Sequence, residues 1–321
     1  MYFPTAGIEV HPLIPPAVAF TISFFTSMGG VSGAFLLLPF QVSLLGFTSP
    51  SVSATNHVFN IVAIPGGLFR YIREGRMVWP LAWMVVAGTL PGVLAGAVIR
   101  VEFLPDPASF KFFAGLVLLY IGLRLARDLT RAGTDRGKKR QTEAEEGFKR
   151  LMEERRRGGG QAKTPPIRTK SLSIHRISYE FYGQGFSVSA PAIFALSLVV
   201  GLIGGVYGIG GGAIIAPFFV SFFRLPVYSV AAAALMGTFV TSLAAVVFYQ
   251  LMAPFYPEMA VAPDWTLGLL FGIGGTAGTY LGARMQKFMP AKAIKLILCA
   301  CVLFTAIKYV GGFVLGRLLG H

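Results

Sequence analysis

Two stretches of the chain repeat one another, and neither can run on as an unbroken helix. GGVSGAFLLLPF (29–40) and YGIGGGAIIAPF (207–218) superpose without a gap, pairing Gly30 with Gly208, Gly33 with Gly211, Pro39 with Pro217 and Phe40 with Phe218. The same register carries Val42 onto Val220, Ser43 onto Ser221 and Ser51 onto Ser229. Each glycine in a helix interior costs about 1 kcal/mol relative to alanine, so Gly210, Gly211 and Gly212 in succession open the backbone. Both motifs lie in apolar sequence, where irregular backbone survives only if it is buried in protein or lines a cavity. A helix that restarts after such a break turns its positive end toward it and favours an anion without any Lys or Arg. Paired breaks in corresponding positions point to a transport site.

The membrane setting follows from run length. Apolar stretches of bilayer-spanning length recur near 51–69, 79–99, 112–126, 228–252, 265–283 and 296–316, and the longer runs 13–46 and 190–223 contain the two motifs. With 54% hydrophobic and 13% charged residues, this is the pattern of a polytopic helical membrane protein. The N-terminus MYFPTAGIEVHP has no basic region ahead of its apolar run, so no cleaved signal peptide is expected.

The duplication extends further. Trp79 pairs with Trp265, Gly88 with Gly274, Gly92 with Gly278, Gly96 with Gly282, Lys111 with Lys295 and Arg124 with Lys308. The expected fold is all-α, with two inverted repeats, each an interrupted (re-entrant or double) helix followed by three transmembrane helices. The repeats would occupy 1–127 and 188–321, joined by a basic linker over 128–187. That linker holds 14 of the 28 Lys and Arg residues and 8 of the 14 acids, and KKRQTEAEEGFKRLMEERRR followed by GGGQAKTPP predicts a charged helix and then a flexible stretch.

If each interrupted segment is a hairpin, three crossings per half remain and the halves must be inverted. With the N-terminus outside, Arg70, Arg73, Arg76, the linker, Arg224, Arg284, Lys287, Lys292 and Lys295 lie inside; Glu102, Asp106, Glu258 and Asp264 lie outside with Arg100. This obeys the positive-inside rule at nearly every loop. The net charge of +14 therefore reads as topology, with acidic lipid headgroups rather than nucleic acid as the linker's partner.

No Asp, Glu, Lys or Arg occurs from Val52 to Phe69 or from Val230 to Gln250, which argues against a cation pump or redox carrier. What these helices hold is neutral: Thr55, Asn56 and Asn60 around His57 in the first half, and Thr238, Thr241, Ser242, Tyr249 and Gln250 in the second. Neutral donors beside a helix break suit an oxyanion better than a metal ion. The alternative for any one of them is an interhelical hydrogen bond. Gly92-x-x-x-Gly96 and Gly278-x-x-x-Gly282 read as close helix packing, and Cys299 and Cys301, on different helix faces, as small core residues. No metal site or cofactor is expected.

The paired breaks ending in Pro39 and Pro217, with the ATN patch (54–56) and the GT patch (237–238), resemble the TauE/SafE family of membrane anion permeases, also called the 4-toluene sulfonate uptake permease family. The resemblance spans both halves and omits the linker. It implies transport of sulfite, thiosulfate or organosulfonates such as sulfoacetate across the bacterial inner membrane, most often as export. It also implies a site built from Gly30, Ser32, Gly33, Pro39, Thr55 and Asn56, matched by Gly208, Gly210, Gly211, Gly212, Pro217 and Thr238. The first copy departs from the glycine-rich pattern, with Ser32 and Ala34 where the second has Gly210 and Gly212. An anion channel or importer remains an alternative. An intramembrane enzyme would need a catalytic set, and the chain has no HExxH, no paired membrane carboxylates and four scattered histidines. His57, the titratable side chain in the polar patch, is the candidate for proton coupling, its rival role being neutral packing.

Overall fold

A computed structural model describes residues 1–28, 32–73, 77–130, 167–173, 175–181, 184–212, 214–285 and 291–318. It is mostly helical, and four of its helices are long and apolar enough to cross a membrane. The first interrupted stretch is α1 (Ile14–Met28) and α2 (Ala34–Ser43). Then follow α3 (Ser51–Ala63), α4 (Pro65–Arg73), α5 (Trp79–Glu102) and α6 (Pro107–Thr130). The second interrupted stretch is α7 (Ala190–Tyr207) and α8 (Ile215–Phe222), followed by α9 (Val227–Met252), α10 (Trp265–Met285) and α11 (Ala291–Leu318). The four helices of spanning length and apolarity are α5, α6, α7 and α9.

Local chemistry explains several boundaries. Pro65 has no N–H to give, so the helix bends between α3 and α4, while the bond from Leu68 N to Ile64 O (3.0 Å) keeps the two pieces in sequence. Asp106 opens α6: its carboxylate accepts the Ser109 N–H at 2.8 Å, and that bond holds it below the usual Asp range. Trp79 and Trp265 each begin a helix, half exposed, as amphipathic rings do at a membrane surface.

The helix pairings come in matched sets. Gly88, Gly92 and Gly96 of α5 lie against the carbonyls of Phe194, Leu198 and Leu202 on α7; Gly274, Gly278 and Gly282 of α10 lie against those of Pro16, Phe20 and Phe24 on α1. Residue numbers rise together in both sets, so α5 runs parallel to α7 and α10 parallel to α1. Any Cβ at these positions would collide with the neighbouring helix, which is how small residues let membrane helices touch backbone to backbone. The packing role expected for these glycines is what they perform. Gly115 and Gly122 of α6 meet Tyr309 and Leu303 of α11, an antiparallel pair.

The all-α expectation needs correction. A short hairpin, β1 (Tyr2–Phe3) and β2 (Ile8–Glu9), precedes α1, and β3 (Ile167–Leu172), β4 (Arg176–Phe181) and β5 (Gln184–Ser189) form an antiparallel sheet in the order β3-β4-β5. Ile177, Tyr179 and Phe181 alternate inward along β4 and Phe186 and Val188 along β5, the period-two pattern of a half-buried strand. Tyr179 fixes the sheet to the start of α9 through Ser229 (3.1 Å), and Ser189 caps α7 by accepting the Ala192 N–H. The charged helix and flexible stretch expected at 138–166 lie outside the described residues. At the opposite end of the bundle, the Ser51 N–H donates to Ala260 O (2.9 Å), Arg100 donates to Thr48 O (3.0 Å), and the Ala6 N–H reaches the buried Asp264 carboxylate.

Candidate functional site

Both breaks are reached from α3, and the second also packs on α9. At the second, Gly208 ends α7 in the left-handed conformation (φ 80°), and the Ile209 N–H returns to Gly204 O, a Schellman-type stop. Gly210 takes the same positive φ, so two reversals fall within three residues and each needs glycine. Gly212 then lies so close to Ala234 O of α9 that no Cβ could fit. The N–H groups of Gly210 and Gly212 find no acceptor among the described residues, while the Gly211 N–H donates to Thr241 Oγ1 at 3.1 Å.

Two side chains of α3 join both breaks. The Asn56 amide of α3 donates to Ala34 O at the start of α2 (3.1 Å) and to Gly208 O at the end of α7 (2.9 Å). One turn on, Asn60 donates to Ile209 O (3.0 Å) and accepts from the Ser32 hydroxyl (3.2 Å). Gln41 of α2 donates to Asn56 Oδ1, and the Tyr207 hydroxyl crosses from α7 to Phe35 O (2.9 Å). All of these except the half-buried Ser32 are sealed from solvent. Buried polar groups of this kind rigidify a site only when they are paired, and Gln41 Oε1 and His57 Nε2 are not.

The residues singled out in the sequence divide by position. Ser32, Gly33, Asn56, Gly208, Gly210, Gly211, Gly212 and Thr238 are brought together around the breaks. Thr238 is buried beside Gly210 and Gly212, and its hydroxyl donates along its own helix to Ala234 O (3.0 Å). Thr55 faces elsewhere: it accepts the Asp264 N–H (2.9 Å) at the start of α10. Pro39 is buried within α2, where its carbonyl accepts from the Tyr309 hydroxyl of α11 at 3.3 Å. Pro217 lies in α8, and Gly30 is outside the described residues. His57 is fully buried, with Nδ1 3.1 Å from Ser242 Oγ and its ring 6.3 Å from that of Tyr249. Gln250 is exposed and takes no part.

Asn60 was read in the polar patch of α3 but not among the site residues, and Gln41 and Tyr207 were not read as donors at all. The i, i+4 spacing of Asn56 and Asn60 was the available signal for the first. Nothing local marks Gln41 or Tyr207, because their roles depend on the helix opposite. Among the described residues no cluster of three or more His, Cys, Asp or Glu side chains is placed to hold a metal ion.

The model of one protein family, "Sulfite exporter TauE/SafE", matches residues 16–309, so the resemblance read from the duplicated motif is borne out. The chain is also 27% identical over 283 residues to the probable membrane transporter protein YunE of Bacillus subtilis (strain 168), an alignment covering 85% of this chain and 87% of that one. No solved structure matches it.

Proposed function

This chain belongs to the sulfite exporter TauE/SafE family, and from that premise we propose that it exports sulfite, thiosulfate or a small organosulfonate by alternating access around the two breaks. Family and fold together make the protein a small-anion transporter of the plasma membrane, spanning it several times, and not an enzyme. Alternating access is supported above all by the bridge made by Asn56. Its amide, with the Tyr207 hydroxyl beside it, ties the start of α2 to the end of α7, so movement of one half relative to the other would pass through the place where both breaks are held. The anion would lie there against the Gly210 and Gly212 N–H groups, which find no acceptor among the described residues, and the positive ends of α2 and α8, with Ser32 and Thr238 beside it.

Two inverted repeats are the architecture behind this reading. It is supported by the matched glycine contacts, in which α5 on α7 repeats α10 on α1: the carbonyls of α1 and α7 keep the register that pairs Gly30 with Gly208, and the glycines of α5 and α10 the register that pairs Trp79 with Trp265. Parallel pairing of α5 with α7 and of α10 with α1, together with antiparallel α6 and α11, means that corresponding helices run in opposite directions if each interrupted segment is a hairpin. The N-terminus would then be outside and the basic 128–187 segment cytoplasmic, against acidic headgroups. In a background lacking Cys299 and Cys301, a cysteine at Arg73 and one at Glu258 should label from opposite faces of the membrane. Labelling from one face would end the inverted arrangement.

Proton coupling through His57 completes the proposal. Protonated, the imidazole would add positive charge to a site of neutral donors; deprotonated, it would release the anion. In proteoliposomes, sulfite flux should change between about pH 5.5 and 8 for the wild type and lose that dependence in His57→Gln. Identical profiles would make the protein a facilitator driven by the anion gradient and His57 a packing residue.

A further inference from the structure

The hydroxyls of α1 do not all behave alike. Thr21, Thr26 and Ser27 each donate to a carbonyl earlier in the helix: Ala17 O at 2.9 Å, Ser23 O at 3.4 Å and Phe24 O at 3.2 Å. This is the usual way for a membrane helix to satisfy a hydroxyl. Ser23 does not. It is 1% exposed, and its Oγ has no partner among the described residues. A buried donor left unmade is costly enough that each instance calls for a reason.

The direction of Ser23 supplies one. Its Oγ lies 2.9 Å from where a Cβ on Gly33 would stand, with Thr26 Oγ1 3.4 Å from the same point. Gly33 is the residue that caps α2, and it brings no side chain of its own. The unpartnered hydroxyl is thus aimed at the N-terminus of a ten-residue helix, the end that favours negative charge. Glycine at 33 leaves no side chain between them. The second half has nothing equivalent: the positions that match Ser23 and Thr26 in the repeat register are Gly201 and Gly204, and they pack on Thr89 and on Gly210.

We propose that Ser23 is a ligand of the transported anion, donating its hydroxyl to an anionic oxygen held at the N-terminus of α2. This rests on the transport reading above and makes it specific: the first break supplies a side-chain donor as well as backbone, the second backbone alone. The poorer glycine content of the first copy then has a function, because Ser32 and Ser23 stand where the second copy has only glycine. An oxyanion with several equivalent oxygens, a sulfonate or thiosulfate, suits a site that collects donors from two separate breaks.

The test is calorimetric titration of purified full-length protein with sulfoacetate and with thiosulfate. Ser23→Ala should weaken binding at least about tenfold, yet melt no lower than wild type without anion, since it removes an unpaired group rather than a bond. Ser197→Ala, which deletes another unpartnered buried hydroxyl facing Gly88 of α5, should bind as wild type does. Unchanged affinity in Ser23→Ala overturns the assignment while leaving the transport reading intact. A wild type that binds neither anion removes both. Should Ser23→Ala fail to fold, Ser23→Cys in a background without Cys299 and Cys301 gives a second measurement. Its alkylation by a maleimide should slow at least about fivefold when sulfoacetate is present, as expected where ligand and reagent compete for one group. An unchanged rate counts against the proposal.

Discussion

Asn56→Ala is expected to abolish transport and to lower stability by roughly 2–4 kcal/mol, a large part of the margin most proteins possess. The substitution leaves Gly208 O buried without its donor, takes a bond from Ala34 O and removes the acceptor of Gln41 Nε2. Ala34 O still lies within α2, so most of the loss falls on Gly208 O, which follows the end of α7 and has no helical successor to serve it. Asn56→Asp should be worse than Asn56→Ala. Both amide hydrogens point at carbonyl oxygens, and a carboxylate in their place would set negative charge against two acceptors. Thermal melting and flux of the three proteins check this together. A stable, active Asn56→Asp would mean that the amide is turned the other way, with the bridge between the breaks made by something else.

The second large effect is expected at the glycine faces, and it comes as a matched pair. Gly92→Ala and Gly278→Ala each place a methyl group against a carbonyl on the neighbouring helix, Leu198 O on α7 and Phe20 O on α1. Backbone cannot move aside as a side-chain tip can, so each should cost about 3 kcal/mol, near the upper end for overpacking. The two should also agree with each other, because the contacts are repeats of one geometry. Gly311→Ala is the control: a Cβ there meets nothing within 4 Å, and the change should gain up to about 1 kcal/mol of helix propensity. Melting temperatures order the three variants. If Gly92→Ala and Gly278→Ala differ widely, the two helix pairs are not energetically equivalent, whatever their geometry.

The duplicated break, the apolar runs and the small-residue faces were open to inspection in the chain because each rests on a local rule. Glycine succession, spanning length and four-residue spacing mean the same thing wherever the helix is placed. The family was legible for the same reason. The sheet at 167–189 was missed although its alternation was present, since the charge around it matched a cytoplasmic linker and drew attention from the period of two in RISYEF.

Side-chain direction was the part that only packing could decide. Thr55 and Asn56 are adjacent in sequence and were grouped as one polar patch, yet about 100° of helical rotation sends Thr55 to Asp264 and Asn56 to both breaks. Gly208 lies 152 residues beyond Asn56, and no local pattern announces so distant a partner. Ser23 carries the same lesson: four hydroxyls in one apolar helix look alike in sequence, and only the approach of Gly33 distinguishes the one without a bond. Where the backbone must break and which helix faces must touch follow from the order of residues alone, because both are properties of neighbouring residues. Which polar atoms meet at the break depends on how the helices pack, because a hydrogen bond between two helices requires the rotation of both at once.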